Sequence, residues 1–204
     1  MSHFLMAVVT KAKPSEEDLQ KILLPWHERE YTGLDDFCVW VDKTEEAERD
    51  YANPEYKKYS DGKTLVEFAN DWNGLKPIPD KSGRLGRFTN PNRKWDYWTI
   101  GGRYEGRLRK LHSSGKFDSL PVGQFDLPAM KQQRIADWAG AKPDAPAFSC
   151  WGFVMDGKWY EKGAMGWWGM STNNADENEW QMRVDKLIET LDRHDWITMV
   201  DCHI

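Results

Sequence analysis

Trp196-Ile-Thr-Met-Val-Asp-Cys-His-Ile204 closes the chain and reads as a strand. The opposite end, His3-Phe-Leu-Met-Ala-Val-Val-Thr10, alternates poorly but is dense in Phe, Leu, Met and Val, the pattern of a buried strand. A strand at each terminus is placed most simply in one shared sheet. The expected class is therefore α+β, with one mixed or antiparallel sheet that includes both terminal strands, two to four helices packed on it, and long loops. No internal repeat, low-complexity tract or Pro/Ser-rich linker divides the 204 residues, so 1–204 reads as a single domain.

Between these ends the local signals vary in strength. Ala147 to Met155 and Lys158 to Lys162 are joined by Asp156-Gly157, a favoured two-residue hairpin turn. Glu179 to Arg193 carries Trp180, Val184, Leu187, Ile188 and Leu191 on one stripe with charges opposite, which is a helix. Pro14-Ser15 opens another, with Ser15 and Asp18 as a capping box, Leu19, Ile22 and Leu23 as its buried face and Pro25 as its stop. Asp36 to Asp42 reads as a second strand, Thr44 to Tyr59 as helical at most in part, and Thr64 to Trp72 as a short amphipathic helix. Asn73 to Asn92 is full of Gly, Pro, Asn and charge and reads as one long loop. Trp95 to Ile100 and Tyr104 to Leu111 look strand-like, broken at Gly101-Gly102, and Leu127 to Trp138 reads as a helix.

Composition narrows the setting. Cys38, Cys150 and Cys202 are far apart, odd in number and form no CxxC pair, so a reducing compartment fits better than a disulfide framework. The start of the chain lacks a basic leader and reads as a strand rather than a signal peptide, and no apolar run approaches membrane-spanning length. A cytoplasmic protein without a membrane partner is expected. The net charge is −5, yet Arg84, Arg87, Arg93, Lys94, Arg103, Arg107, Arg109 and Lys110 face only Asp96 and Glu105, a local +6 that leaves −11 for the remainder. Such an island suits a small anion, whereas the acidic remainder would repel a long nucleic acid.

Several constellations can carry chemistry. Gly101-Gly102-Arg103 either bends a strand or lets a ligand approach the backbone with a guanidinium beside it. Trp95, Tyr97 and Trp98 lie just upstream, and Arg beside aromatic faces suits a planar base and its phosphate. Lys94 adds a cation. Asp96 either accepts from a base edge or pairs with Arg103. Met165-Gly-Trp-Trp-Gly-Met170 sets Trp167 and Trp168 between glycines, either as packing or as the second wall of an aromatic sandwich. Asp201 and His203 share one face of the last strand, where they form a sheet hydrogen bond, a general base or, with His27, a metal site. No metal-ligand spacing, nucleophile motif or phosphate loop is present, so neither a cofactor nor a metal is expected.

Asn90-Pro-Asn-Arg-Lys-Trp-Asp-Tyr-Trp, then Ile100-Gly-Gly-Arg, then Gly166 to Gly169 and Val200-Asp-Cys-His-Ile204, resemble a family of bacteriophage and prophage accessory proteins. The resemblance implies a counter-defence factor in the bacterial host cytoplasm, of the kind that sequesters nucleotide signals of bacterial immunity. The expected ligand site is Lys94, Trp95, Asp96, Trp98, Gly101, Gly102, Arg103, Trp167, Trp168 and His203, holding a small anionic nucleotide-like ligand without cleaving it. Two other readings stay open: a nucleotide hydrolase or transferase using Asp201-His203 or Asp96 with Arg103, and an inhibitor that docks on a host defence protein through exposed Trp rings. Homo-oligomerisation is left open.

Overall fold

The helix after Ser15, the Asp156-Gly157 hairpin and the helix read over Glu179 to Arg193 all stand in the structure, a computed structural model that describes residues 3–29, 33–80, 82–126, 150–165, 171–172 and 174–204. The hairpin's first strand begins at Gly152, and residues 147–149 of that reading lie outside the described residues. Along the chain run β1 (His3–Thr10), α1 (Glu16–Leu23), β2 (Val39–Asp42), α2 (Thr44–Ala52), α3 (Lys57–Ser60), α4 (Leu65–Asn73), β3 (Lys76–Pro77) and β4 (Leu85–Thr89). They are followed by β5 (Tyr97–Ile100), β6 (Ser119–Pro121), β7 (Gly152–Met155), β8 (Lys158–Glu161), β9 (Ala164–Met165), β10 (Ser171–Thr172), α5 (Glu177–Thr190) and β11 (Trp196–His203). The chain is α+β. Its contacts divide into two compact units, Met1–His27 with Lys94–Ile204, and Glu28–Arg93.

The larger unit is built on a six-stranded mixed sheet of order β5-β11-β1-β7-β8, with β6 also paired to β11. Both terminal strands lie at its centre. They pair antiparallel from His3↔His203 to Thr10↔Trp196, while β1 runs parallel to β7. The poor alternation of His3–Thr10 has a direct cause: both faces of this strand are covered. Phe4, Met6 and Val8 pack with Val200, Cys202, Trp95, and Leu19 and Leu23 of α1. Leu5 and Ala7 pack on the other face with Ile197, Met199, and Trp180, Val184 and Ile188 of α5. Each fully buried side chain of this kind contributes about 1.5–3 kcal/mol relative to exposure.

Local chemistry fixes the helices and the turn. Ser15 Oγ accepts from the Asp18 N–H while the Asp18 carboxylate accepts from the Ser15 N–H, closing the capping box. Asp176 caps α5 by accepting from the Asn178 and Glu179 N–H groups. In the β7–β8 hairpin, Asp156 and Gly157 both take positive φ (51° and 69°), as a type I′ turn needs.

The smaller unit has a three-stranded sheet of order β2-β4-β3, with Leu85 of β4 packed against Ala47 of α2, Ala69 of α4, and Leu75. Here the structure departs from the sequence reading. Asn73–Asn92 is not one loop, since it contains β3 and β4. Asp36–Asp42 shortens to Val39–Asp42 because Asp36 and Phe37 form a turn, with Phe37 at φ 64°. In the larger unit, Tyr104–Leu111 is a 3-10 turn followed by isolated bridges Leu108↔Phe117 and Lys110↔Phe125 rather than a strand. Trp95–Ile100 begins as a strand only at Tyr97. The helix read over Leu127–Trp138 lies outside the described residues. Among those described, no helix is long and apolar enough to cross a membrane.

Candidate functional site

On the α5 side of the large sheet, the apolar row formed by Ile197, Met199, Ala7 and Leu5 gives way to polar residues where β11 ends and β1 begins. The register sets His3, His203 and Tyr97 side by side across three strands, and Leu5, Asp201 and Thr99 in the next row. Directly paired residues share a face. The sheet therefore gathers His3, Asp201 and His203 at one end of an otherwise apolar surface.

Two carboxylates hold the two imidazoles. His3 Nδ1 lies 2.9 and 3.1 Å from the Asp201 carboxylate oxygens. His203 Nδ1 lies 2.6 Å from Asp96 Oδ1, and the Asp96 N–H donates to the His203 carbonyl. Asp201 is 3% exposed and Asp96 8%; the Asp96–His203 bond is buried, and the Asp201–His3 bond is part-buried. An ionised carboxylate only accepts, so Nδ1 of each neutral ring carries the proton and Nε2 is left as the acceptor. Among the described residues neither Nε2 meets a protein partner, and neither is a buried atom left unsatisfied, so both reach the surface. The rings touch edge to face, with centroids 4.9 Å apart.

The Gly-Gly-Arg segment folds over this end of the sheet. Gly101 and Gly102 take φ 68° and 53°. A Cβ on Gly102 would lie 2.5 Å from Asp201 Oδ2, and one on Gly101 would lie 2.7 Å from Asp118 Oδ2. The two glycines thus bring the Arg103 N–H to Asp201 Oδ2, 2.9 Å away. The Arg103 side chain is exposed and makes no ion pair among the described residues. Tyr104 O–H donates to the His3 carbonyl at 3.0 Å, and burial, with the nearby Asp201 charge, raises its pKa. Tyr97, 62% exposed, borders His203 in the same row.

The residues expected to form a ligand site therefore separate. Asp96, Gly101, Gly102, Arg103 and His203 converge around Asp201. Asp96 pairs with His203 rather than with Arg103, which reaches Asp201 through its backbone. Lys94, Trp95 and Trp98 belong elsewhere. Lys94 pairs with Glu161 at 2.8 Å. Trp95 is 2% exposed in the core on the α1 side and donates its indole N–H to the Leu23 carbonyl. Trp98 packs against that same core and donates to Gln20 Oε1. Trp167 and Trp168 lie outside the described residues. His27 is fully buried beside Trp95, and among the described residues no group of three or more His, Cys, Asp or Glu is arranged to hold a metal ion.

The basic island resolves in the same way. Arg84 is held by Asp42 and Asp80, and Arg93 by Glu28. The guanidinium of Arg107 lies over the Tyr104 ring and Lys110 over Phe117. What was missed is His3, and one signal pointed to it: pairing the two terminal strands antiparallel at their ends sets His3 opposite His203. No family model, no curated protein and no solved structure matches this chain.

Proposed function

We propose that the protein binds a small, anionic, nucleotide-like ligand at the His3–Asp201 and Asp96–His203 end of its large sheet and sequesters it uncleaved, as a bacteriophage counter-defence protein in the host cytoplasm. One observation carries the ligand class. Two imidazoles in edge contact are each braced at Nδ1 by a buried carboxylate, beside Arg103, a cation without an ion-pair partner among the described residues. When a phosphate draws a proton onto either ring, Nε2–H becomes a donor, and the carboxylate behind it stabilises the imidazolium. The guanidinium supplies a forked pair of donors for the same group. Tyr97 offers a flat, exposed ring to a base. The counter-defence setting rests on the resemblance of the Asn90-to-Asp96, Ile100-to-Arg103 and Val200-to-Ile204 segments to phage accessory proteins. The test is a thermal-shift screen with cyclic and modified nucleotides, followed by denaturation and analysis of what is released. An intact nucleotide that raises the melting temperature supports sequestration.

The same bracing favours a second reading, phosphodiester hydrolysis. A neutral Nε2 is a base, and a protonated neighbour is an acid. One ring would take the proton from a water attacking phosphorus while the other gave its proton to the leaving oxygen. Release of a cleaved product from the same screen would select this reading.

A further inference from the structure

The smaller unit, Glu28–Arg93, carries a groove that shares no residue with the sheet-end site. Trp40 and Phe88 are direct partners across β2 and β4, with ring centroids 5.7 Å apart at 46°. The Arg29 guanidinium lies 5.3 Å over the Phe88 ring and pairs with Asp35. The groove has a volume of about 480 Å³ and is lined by Arg29, Trp40, Asn73, Lys76, Arg87 and Phe88, with Gly74 and Gly86 between them. Among the described residues no carboxylate lines it. Lys76 is exposed and has no ion-pair partner among the described residues.

We propose that this groove binds a free mononucleotide, its base against Trp40 and Phe88 and its phosphate on Lys76 and Arg29. The volume falls in the range of small-ligand pockets, about 300–1,000 Å³, and suits one nucleotide rather than a strand. Two aromatic rings among cations match a base that carries a phosphate, since every base has a π-face and stacking tolerates any sequence. The unit as a whole argues against a polymer. Residues 28–93 hold eleven Lys and Arg against fourteen Asp and Glu, a net of −3, so a long phosphate backbone would meet repulsion beyond the groove.

The experiment is a titration of the ¹⁵N-labelled full chain with adenosine 5′-monophosphate, followed by amide NMR. Saturable shifts are expected at Gly74, Lys76, Gly86 and Phe88, and Lys76→Ala, an exposed change that leaves the rest of the spectrum in place, should weaken the midpoint about tenfold by removing one charge-assisted contact. Amides of Arg103 and His203 report the sheet-end site separately. The proposal is overturned if the groove amides do not move, if Lys76→Ala leaves the midpoint unchanged, or if a short single-stranded RNA shifts them at lower concentration than the mononucleotide.

Discussion

His3 and His203, from the first and last strands of the chain, meet edge to face with ring centroids 4.9 Å apart at 72°. A different buried carboxylate holds each ring, Asp201 for His3 and Asp96 for His203. The two imidazoles are therefore oriented independently, and removing either acid frees one ring without releasing the other. The pair joins the two ends of the chain, so the site forms only when the terminal strands are in register.

Asp201 accepts from His3 Nδ1 and from the Arg103 N–H, the second through a backbone that only glycine allows so close. Replacing it with Asn removes the charge behind two part-buried hydrogen bonds, each worth about 1.5–3 kcal/mol when one partner is ionised. Asp201→Asn should lower the unfolding free energy by about 2–4 kcal/mol, read by urea denaturation, with the His3 ring losing its fixed tautomer by NMR. A loss within the error of the fit would show that the carboxylate is not engaged as described.

Gly102→Ala should cost more than Gly157→Ala. Both glycines have positive φ, which by itself costs an alanine about 1–2 kcal/mol. At Gly157 the added methyl meets open space, whereas at Gly102 it would lie 2.5 Å from Asp201 Oδ2. Paired urea melts should show the turn variant down by about 1 kcal/mol and the site variant by more than about 2. Equal losses would contradict the close approach over Asp201.

Trp95 and Arg103 should separate stability from binding. Trp95→Phe removes a buried indole N–H that donates to the Leu23 carbonyl, and should cost about 1–3 kcal/mol while sparing ligand affinity. Arg103→Ala, at an exposed side chain, should change stability by less than about 0.5 kcal/mol and reduce affinity. Chemical denaturation and calorimetric titration of the same two proteins check the crossover.

The buried thiols set a limit at high pH. Burial pushes Cys150 up from 9.0 to about 12, and raises Cys202 well above 9.0 with help from the Asp201 and Asp96 charges. Because the folded value exceeds the unfolded one, the contribution of these thiols is intact below pH 9.0 and is lost as pH rises from there through about 12. Stability should decline over that window. Near neutral pH an alkylating reagent should label half-buried Cys38 and leave Cys150 and Cys202 protected until urea unfolds the chain, as peptide mapping would show.

The legible parts of the fold are those with local signals. The Ser15–Asp18 box, the Asp156-Gly157 turn and the apolar stripe through Trp180, Val184 and Ile188 each act within a few residues, and each is an element of the structure. β4 was hidden because Gly86 and Arg87 interrupt its five residues and its partners, β2 and β3, are distant or very short. Tyr104–Leu111 has strand-like composition, but positive φ at Gly101, Gly102 and Gly106 curls the chain away from the sheet. At the site, charge and aromatic density drew attention to Lys94, Trp95 and Trp98. Their partners, Glu161, the Leu23 carbonyl and Gln20, are set by tertiary pairing that no spacing in the sequence encodes. Asp96–His203 is hidden for the same reason, whereas His3–His203 follows once the terminal strands are paired.

Native mass spectrometry of the purified protein against a panel of cyclic and modified nucleotide immune signals tests whether a nucleotide-like anion is held uncleaved beside Arg103 and the two braced histidines. The predicted result is one nucleotide class retained by the wild-type chain, recovered with its mass unchanged after denaturation, and lost in Arg103→Ala. Failure of every nucleotide in the panel to bind would contradict it.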